Sequence, residues 1–293
     1  MPDLSLHEKE EKLYALLRAM ESVSVAFSGG LDSRFLSYTC LRLGLKVRAF
    51  HVTGPHIPAR ESAWAEAWAG RNRLPLTLLA IDPLQSEIIA ANTPERCYHC
   101  KNTVFKTLKK EAREGTLCDG TNTSDSEGYR PGLRALQELG IVSPLALAGL
   151  SKPDIRALAR KTGMDRPEQL AQPCLFTRFN YGVSPTCETL RAIDLAEGDI
   201  EDALHRHGVF QAGPGGAAPS EQAESVPFRL RFEGENKTVL HIAASGLDGE
   251  VRRDLQRLLQ KNGFPATPIV PVEKISGYFD RLRQHHAPVR CNT

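Results

Sequence analysis

The sequence has no long apolar run, no large excess of charge of either sign, and no repeated segment. No stretch approaches the ~20 apolar residues that a transmembrane helix requires, so no membrane contact is expected. The N-terminal segment lacks the apolar core of a signal peptide, which predicts a cytoplasmic protein. The net charge of +2 argues against a dedicated nucleic-acid surface. The Walker pattern G-x-x-x-x-G-K-[ST] is also absent, which excludes the phosphate loop of kinases and GTPases.

A disulfide framework is lacking as well. The chain has 7 cysteines, an odd number, and a reducing compartment disfavours disulfides. Cys40 and Cys118 lie inside apolar segments, where cysteine behaves as a small hydrophobic residue. Cys187 and Cys291 are also interpreted as structural, with Cys187 as an alternative metal ligand. The other three cysteines lie in polar motifs and are the candidates for chemistry.

Strands and helices alternate through the first part of the chain. A length of 293 residues allows one large domain or two smaller ones, and 41% hydrophobic residues is ordinary for a globular protein. The alternation predicts an α/β fold with a doubly wound parallel sheet. Strands are expected at Val23–Phe27, 46–52, 76–81 and 116–118, and helices at 59–71, Lys101–Glu114 and 151–161.

The C-terminal part has a different pattern. Phe228–Phe232 and Thr238–Ile242 alternate like the strands of a hairpin, and a helix and a short strand follow. This predicts a smaller α+β domain for substrate binding or oligomerisation, with domain limits at 1–180 and 181–293. The Gly- and Pro-rich stretch 211–220 is interpreted as a surface insertion or linker.

The segment Ser28–Ser33 reads Ser-Gly-Gly-Leu-Asp-Ser directly after an apolar strand. Gly29 and Gly30 let the backbone turn tightly and present N–H groups to an anion. The two serines add hydroxyl donors, and the helix beginning near Asp32 directs its positive dipole end to the same place. The pattern predicts a phosphate-binding loop, and Asp32 is either a metal or loop-positioning group or a helix cap.

Cys97-Tyr98-His99-Cys100 forms a C-x-x-C unit, and a third cysteine, Cys174, lies in a second polar motif. Such a unit can bind zinc, hold an iron–sulfur cluster or exchange thiols. Zinc requires a fourth ligand that no nearby pair supplies, whereas three cysteines can hold three corners of a [4Fe–4S] cluster and leave one iron open. The alternative is an inert pair beside an unrelated cysteine, and His99 is not expected to be a ligand.

Four stretches resemble, in order, the LarE family of ATP-dependent sulfur transferases, which belongs to the PP-loop N-type ATP pyrophosphatases. The resemblance covers roughly residues 20 to 205, and its most discriminating parts are the Tyr-Arg-Pro-Gly and Arg-Phe-x-Tyr-Gly sequences. The stretches are Ser28–Ser33, Cys97–Lys101 after Asn92-Thr93-Pro94, Asp119–Asn122 with Tyr129-Arg130-Pro131-Gly132, and Cys174–Gly182.

This resemblance implies an enzyme that uses ATP and Mg²⁺ to adenylate a carboxylate of a pyridinium mononucleotide. Sulfur then replaces AMP and gives a thiocarboxylate on the way to the nickel-pincer cofactor. In this family the sulfur comes either from a sacrificed cysteine, here Cys174, or from a sulfide on a [4Fe–4S] cluster. Because Cys97 and Cys100 accompany Cys174, the resemblance implies the cluster type, with Asp32, Ser33 and Cys174 as catalytic residues.

The resemblance also implies a set of nucleotide- and substrate-binding residues. Arg178 is a candidate for a substrate phosphate, because guanidinium pairs with phosphate in a bidentate way. Arg229 and Arg231 alternate on a strand and point to one face, and Glu197 is placed to orient them. The alternative for the two arginines is an exposed polar strand face. The full set is Ser28, Gly29, Gly30, Asp32, Ser33, Asp119, Asn122, Arg130, Arg178, Glu197, Arg229 and Arg231.

Other functions remain open. A tRNA thiolase shares the loop and the cysteines, but the near-neutral charge and the lack of an RNA-binding appendage argue against it. An amide-forming ligase of the NAD or GMP synthetase type leaves the three cysteines without a role, and a nucleotide-binding sensor or sulfur carrier does not require an intact loop. A homo-oligomer is expected, with sulfide or a cysteine desulfurase as the donor.

Overall fold

The computed structural model describes most of the chain and divides it into two units. The first unit holds Met1–Ala90 and Pro94–Cys174, and the second holds Ala91–Thr93 and Leu175–Thr293. The domain limits expected from the sequence, 1–180 and 181–293, stay a prediction. Within the residues described, no helix combines the length and the apolar character needed to cross a bilayer. The described ranges are 4–113, 115–126, 131–210, 226–244 and 247–285.

The first unit is built on a four-stranded sheet in which every strand pair is parallel. Its strands are β1 (Val23–Ala26), β2 (Val47–Thr53), β3 (Leu76–Ala80) and β4 (Thr116–Cys118). The helices are α1 (Leu6–Arg18), α2 (Leu31–Arg42), α3 (Ala59–Arg71), α4 (Glu87–Ala90), α5 (Arg96–Glu111), α6 (Pro131–Glu138), α7 (Pro144–Leu147) and α8 (Lys152–Lys161). Short 3₁₀ helices cover Pro83–Gln85 and Thr123–Ser126 in this unit and Leu175–Arg178 in the second unit. The α/β class with a parallel sheet is confirmed.

Both faces of this sheet are covered, as a doubly wound fold requires. Side chains alternate along each strand, so odd and even positions enter different cores. One core joins Val23, Val25, Ala49 and Cys118 to α1, α2, α3 and α8. The other joins Phe50 and Leu117 to α5 and α6.

The strand order β3-β2-β1-β4 places the topological switch point between β1 and β4. The chain leaves β1 for β2 on one side, and β4 returns to pair with β1 on the other, with Val25 opposite Cys118. Ligands of open α/β sheets bind beyond the carboxyl ends of strands at such a point. The segments that follow β1 and β4 are Ser28–Ser33 and Asp119–Asn122, so both predicted motifs emerge at this edge.

One helix differs from its prediction. The sequence predicts a helix over Lys101–Glu114 after the cysteine pair, but α5 begins at Arg96 and ends at Glu111. The pair therefore lies in the first turns of the helix rather than in the loop before it. Glu95, in the helical region of φ and ψ, is the N-cap.

The second unit is a small α+β structure, as the pattern of the C-terminal part predicts. Strands β5 (Phe228–Gly234) and β6 (Lys237–Ile242) form the antiparallel hairpin, and β7 (Ile269–Pro271) pairs with β6 in parallel. The helices are α9 (Cys187–Arg206), α10 (Gly249–Lys261) and α11 (Tyr278–His285). Residues 211–220 lie outside the described part of the chain, so their interpretation as an insertion is untested.

Candidate functional site

The loop after β1 closes on itself through its two serines. The Ser33 hydroxyl donates to the Gly30 carbonyl (3.2 Å) and accepts from the Ser28 backbone N–H (3.2 Å). The Ser28 and Ser33 hydroxyls are 3.2 Å apart. Gly29 has φ +77°, and a Cβ there would lie 2.8 Å from the Cβ of Ala65 on α3, so glycine is required on two grounds.

This loop ends at the N-terminus of α2, where Asp32 meets an unpredicted partner. The Lys152 ammonium donates to both carboxylate oxygens of Asp32, at 2.9 and 2.7 Å. Burial raises the pKa of Asp32, and the charge and hydrogen bonds of Lys152 act in the opposite direction. The N-cap of α2 is Gly30, which has no side chain to cap the helix, and Asp32 places a negative charge in the first turn.

The segment after β4 packs directly on the first turn of α2. A Cβ on Gly120 would lie 3.0 Å from the Ser33 nitrogen and 3.1 Å from the Asp32 Cβ. The buried Asp119 carboxylate accepts from the Ser143 hydroxyl (2.6 Å) and from Thr121. The residues after β1 and β4 thus form one corner at the switch point.

Asn122 is buried in the same segment and shapes its backbone. Its side-chain oxygen accepts from the Ser124 N–H (3.0 Å), and its own N–H donates to Asp125 (3.1 Å). These bonds stabilise the 3₁₀ turn over Thr123–Ser126. Nucleotide binding by Asp119 and Asn122 stays a prediction, and Arg130, a third residue of this set, lies outside the described residues.

The three candidate cysteines belong to the first unit. Cys97 and Cys100 are three residues apart on α5, so they share a helix face, and both are partly buried, as is Cys174. Burial, followed by the charges of Cys174 and Cys97, raises the pKa of the Cys100 thiol to about 12. In the described ranges no group of three or more His, Cys, Asp or Glu side chains is arranged to hold a metal ion.

The other described cysteines differ in their surroundings. Cys40 and Cys118 are fully buried, and burial raises the pKa of each thiol to about 12, which fits small core residues. Cys187 is exposed at the first position of α9. Cys291 lies outside the described residues.

The cysteine helix is held against α6, which begins in the Tyr-Arg-Pro-Gly motif. A Cβ on Gly132 would lie 2.8 Å from the Lys101 Cδ, so the lysine stem occupies the space that glycine leaves. The Tyr98 hydroxyl donates to Glu138 (2.6 Å), and the Arg134 guanidinium lies 3.9 Å from the Tyr98 ring centroid. Two motifs that the sequence separates by about thirty residues are therefore in contact.

In the second unit, Arg178 and Glu197 form a buried, multiply bonded ion pair. The Arg178 Nε donates to both Glu197 oxygens (3.1 Å each), and one terminal nitrogen donates at 2.6 Å. Arg178 is 1% exposed. Glu197 also accepts from the Leu230 N–H (2.9 Å), which fixes the pair to β5. Glu197 thus orients Arg178, a partner that the sequence does not indicate.

Arg229 and Arg231 lie in the same charged region. Burial, followed by the positive charge of Arg178, lowers the pKa of each guanidinium to about 10. Arg231 is 3% exposed and bonds the Nδ1 of His241 (2.7 Å) and the Ile275 carbonyl (2.5 Å). Arg231 therefore does not belong to an exposed polar strand face, the alternative that the sequence left open. Three arginines share this region with the carboxylate of Glu197, an arrangement that favours an anion.

No sequence motif indicates two further residues near the phosphate loop, His51 and Lys152. His51 on β2 is buried and has its ring nitrogens 2.8 Å from the Phe27 carbonyl and 3.0 Å from the Ser62 hydroxyl. Lys152 follows Ser151, whose helix cap is visible in the sequence, but only the fold brings its ammonium to Asp32. In both cases the partner is distant in sequence, so spacing gave no signal.

Known proteins similar to this chain include two uncharacterized ones. A protein of Synechocystis sp. is 32% identical over 196 residues, covering 66% of this chain and 73% of that protein. A protein of Methanocaldococcus jannaschii is 34% identical over 190 residues, covering 64% and 71%. The pyridinium-3,5-bisthiocarboxylic acid mononucleotide synthase of Lactiplantibacillus plantarum is 29% identical over 198 residues, covering 66% and 72%. No protein-family model matches the chain.

Proposed function

We propose, from the premise that this chain belongs to one family with the Synechocystis and Methanocaldococcus proteins, that it is an ATP-dependent sulfur transferase. The name of the Lactiplantibacillus relative supports the LarE family and indicates the substrate class, a pyridinium mononucleotide carboxylate. The observation that carries the proposal is that one unit holds both the serine-closed loop at the switch point and the three partly buried cysteines Cys97, Cys100 and Cys174. An amide-forming ligase would use the phosphate loop but would have no role for the three cysteines.

The first step would activate the carboxylate. A carboxylate oxygen attacks the α-phosphorus of ATP, the bond to the β-phosphate oxygen breaks, and pyrophosphate leaves with the electron pair. Backbone N–H groups and the Ser28 and Ser33 hydroxyls are placed to stabilise the charge that develops on this leaving group. Bound Mg²⁺ would offset phosphate charge, and Asp32 is the carboxylate at hand to hold it.

In the second step sulfur replaces AMP at the activated carbonyl. A sulfur nucleophile attacks the carbonyl carbon, the carbon–oxygen bond breaks, and AMP leaves as the phosphate anion. Cys97, Cys100 and Cys174 are the thiolate donors that would hold a [4Fe–4S] cluster, and the cluster would supply the sulfide. If Cys174 is instead the donor, its thioester loses the Cα proton and the Cβ–S bond, which leaves dehydroalanine.

The proposed binding residues for the substrate phosphate belong to the second unit. Arg178, Arg229 and Arg231 supply three guanidinium groups for bidentate phosphate contacts, and Glu197 keeps Arg178 in a fixed orientation. Burial and then the positive charge of Arg178 lower the pKa values of Arg229 and Arg231, and a bound phosphate would offset that positive charge. Self-association and a separate sulfide donor remain proposals.

The experiment is anaerobic iron–sulfur reconstitution followed by iron and sulfide quantification and a turnover assay with ATP, Mg²⁺ and a pyridinium carboxylate mononucleotide. We expect about four irons per chain, lost in Cys97→Ala and retained in the exposed-cysteine control Cys187→Ala. Cys174→Ala should abolish sulfur transfer while ATP binding persists.

Two outcomes redirect or reject the proposal. An iron-free protein that still forms thiocarboxylate and loses the mass of hydrogen sulfide identifies Cys174 as the sacrificed donor. A protein that consumes ATP with ammonia but never transfers sulfur is an amide-forming ligase, and the proposal is then wrong.

A further inference from the structure

His51 is a buried polar side chain beside the phosphate loop that neither reaction step uses. It lies on β2 and is only 2% exposed. Its Nδ1 is 2.8 Å from the Phe27 carbonyl oxygen, and its Nε2 is 3.0 Å from the Ser62 hydroxyl on α3. Burial of an imidazole is costly unless its ring nitrogens have partners, and here both have one. The ring is therefore held in one orientation.

The two partners determine which ring nitrogen of His51 carries the proton. A carbonyl oxygen can only accept a hydrogen bond, so Nδ1 donates to Phe27. Burial lowers the pKa of His51, while the Phe27 carbonyl and the charge of Glu66 act in the opposite direction. In the neutral ring that burial favours, Nε2 is an acceptor, and the Ser62 hydroxyl donates to it.

The Phe27 carbonyl lies where β1 passes into the phosphate loop. The Phe27 N–H still pairs with the sheet, since it donates to the Phe50 carbonyl (2.8 Å). The Phe27 carbonyl shares a peptide unit with the Ser28 N–H, which donates to the Ser33 hydroxyl (3.2 Å). Because a peptide unit is planar, a bond that fixes its oxygen also fixes the direction of its N–H. His51 thus determines where the first N–H group of the loop points.

A row of hydrogen bonds consequently joins α3 to the serines of the loop. The Ser62 hydroxyl donates to His51, and His51 donates to the Phe27–Ser28 peptide unit. The N–H of that unit donates to the Ser33 hydroxyl, which itself donates to the Gly30 carbonyl (3.2 Å). Successive hydrogen bonds of this kind polarise one another. The orientation of the Ser33 hydroxyl therefore depends on a side chain outside the loop.

We infer that His51 is a positioning residue of the phosphate loop, which holds the Phe27–Ser28 peptide so that the Ser28 N–H and the Ser33 hydroxyl are arranged to receive pyrophosphate. This inference rests on the proposed function and adds to its first step a residue that no motif contains. Donors that are already oriented need no rearrangement when charge develops on the leaving group. The buried ring acts through the peptide unit and not by contact with the ligand.

The test is isothermal titration calorimetry of inorganic pyrophosphate on the full chain in the presence of Mg²⁺, with two amides in place of the imidazole. His51→Asn puts its amide nitrogen at the position of Nδ1 and keeps the donor to Phe27. His51→Gln has the longer side chain, so its amide replaces Nε2 and extends toward Ser62. Pyrophosphate affinity should stay within about twofold of the wild type in His51→Asn and fall about tenfold in His51→Gln.

Ser62→Ala is the matched control, because it removes only the partner of Nε2. It should leave pyrophosphate affinity within about twofold of the wild type. Urea unfolding of the three variants separates stability from binding: each is expected to be less stable than the wild type, but only His51→Gln should bind pyrophosphate more weakly. If His51→Gln does not fold, judged by circular dichroism, His51→Leu replaces it, since leucine also lacks the donor to Phe27.

A purely structural histidine would give a different set of affinities. Equal pyrophosphate affinities in His51→Asn and His51→Gln, or a loss in Ser62→Ala as large as that in His51→Gln, would overturn the inference.

The wild-type titration distinguishes this inference from the proposed function. A wild-type protein that binds pyrophosphate, together with a His51→Gln variant that binds it equally well, overturns the inference alone. A wild-type protein that binds neither pyrophosphate nor ATP overturns the proposed function and the inference with it.

Discussion

Asn92 fixes a left-handed turn from a fully buried position. Its φ is +51°, a region that asparagine tolerates better than most residues, and it is 0% exposed. Its side-chain amide donates to the carbonyls of Asn180 (2.9 Å) and Val183 (2.8 Å), and its own carbonyl accepts from the Gly182 N–H (3.1 Å). The Asn-Thr-Pro part of the sequence motif therefore holds the Arg-Phe-x-Tyr-Gly part in place.

Replacing Asn92 with glycine should remove the side-chain amide while the left-handed backbone conformation is kept. Glycine accepts the positive φ, so the loss comes from the two carbonyls left without the amide, about 1–3 kcal/mol. Hydrogen exchange read by mass spectrometry should show faster exchange over residues 180–183. The control Asn72→Gly removes an amide bonded to the Trp68 carbonyl in the first unit and should leave that segment unchanged. Unchanged exchange in Asn92→Gly would contradict the role given to the amide.

At the residue scale, the chemistry of a site residue is easier to predict from the sequence than the side chain with which it pairs. Orientation of the β5 arginines by Glu197 stays a prediction, while the side chain that Glu197 is seen to bind is that of Arg178, nineteen positions away. Lys152 was not predicted at all. Motif spacing specifies which chemistry is present, but a pair across two helices depends on how those helices pack, which no local pattern encodes.

At the scale of elements, reciprocal caps close several of the described helix starts, and each unit has at least one. At the start of α8 the Ser151 hydroxyl accepts from the Asp154 N–H (3.4 Å), and the Ser151 N–H donates to the Asp154 carboxylate (3.0 Å), which makes a capping box. Thr186 and Thr189 form a similar box at the start of α9. The first box belongs to the first unit and the second box to the second unit.

This pair of caps allows a matched test of element stability. Ser151→Ala should lower the free energy of unfolding of the first unit by about 1 kcal/mol. Both tryptophans of the chain, Trp64 and Trp68, lie on α3 in that unit, so urea unfolding followed by tryptophan fluorescence reports on it. Thr186→Ala should not shift this transition. Equal shifts in the two variants would show that the units do not unfold separately.

Element types were predictable where apolar periodicity was strong, and boundaries were less so. The parallel strands and α3 follow their predicted limits closely, and α3 lies between Pro58 and Asn72, two residues that favour helix boundaries. Helix α5 starts five residues earlier than predicted, since Cys-x-x-Cys was interpreted as a loop motif. Its Cys97 and Cys100 instead use the i, i+3 spacing of a helix face.

For the molecule as a whole, buried histidines predict a loss of stability in weak acid. Burial lowers the pKa of His56 from 6.5 to about 4, and burial together with the charge of Arg231 lowers that of His241 to about 4 as well. The unfolded chain binds these protons near pH 6.5 and the folded chain does not, so stability is full above about 6.5 and falls toward about 4. The expected loss is about 1–3 kcal/mol per histidine.

Denaturation at about pH 7.5 and about pH 5 measures this loss, with circular dichroism as the probe. His56→Gln and His241→Gln should each reduce the difference between the two pH values. The exposed control His205→Gln should keep it. Equal wild-type stability at both pH values would contradict neutral burial of these histidines.

The fold class of the whole molecule could be predicted from the sequence, whereas its division into two units could not. Alternating strands and helices predict the parallel sheet because each crossover needs a helix to return the chain. Residues Ala91–Thr93 belong with the C-terminal unit because Asn92 makes hydrogen bonds to residues about ninety positions later. Nothing local marks such a segment.

The same three residues set an order of assembly during translation. Asn92 leaves the ribosome with the first unit, but its partners Asn180 and Val183 are synthesised 88 and 91 residues later. Its buried turn can therefore close only after the first unit, which ends at Cys174, has been made. A chimera that exchanges the C-terminal part between relatives must accordingly carry residues 91–93 with it, although they are encoded far upstream of the junction.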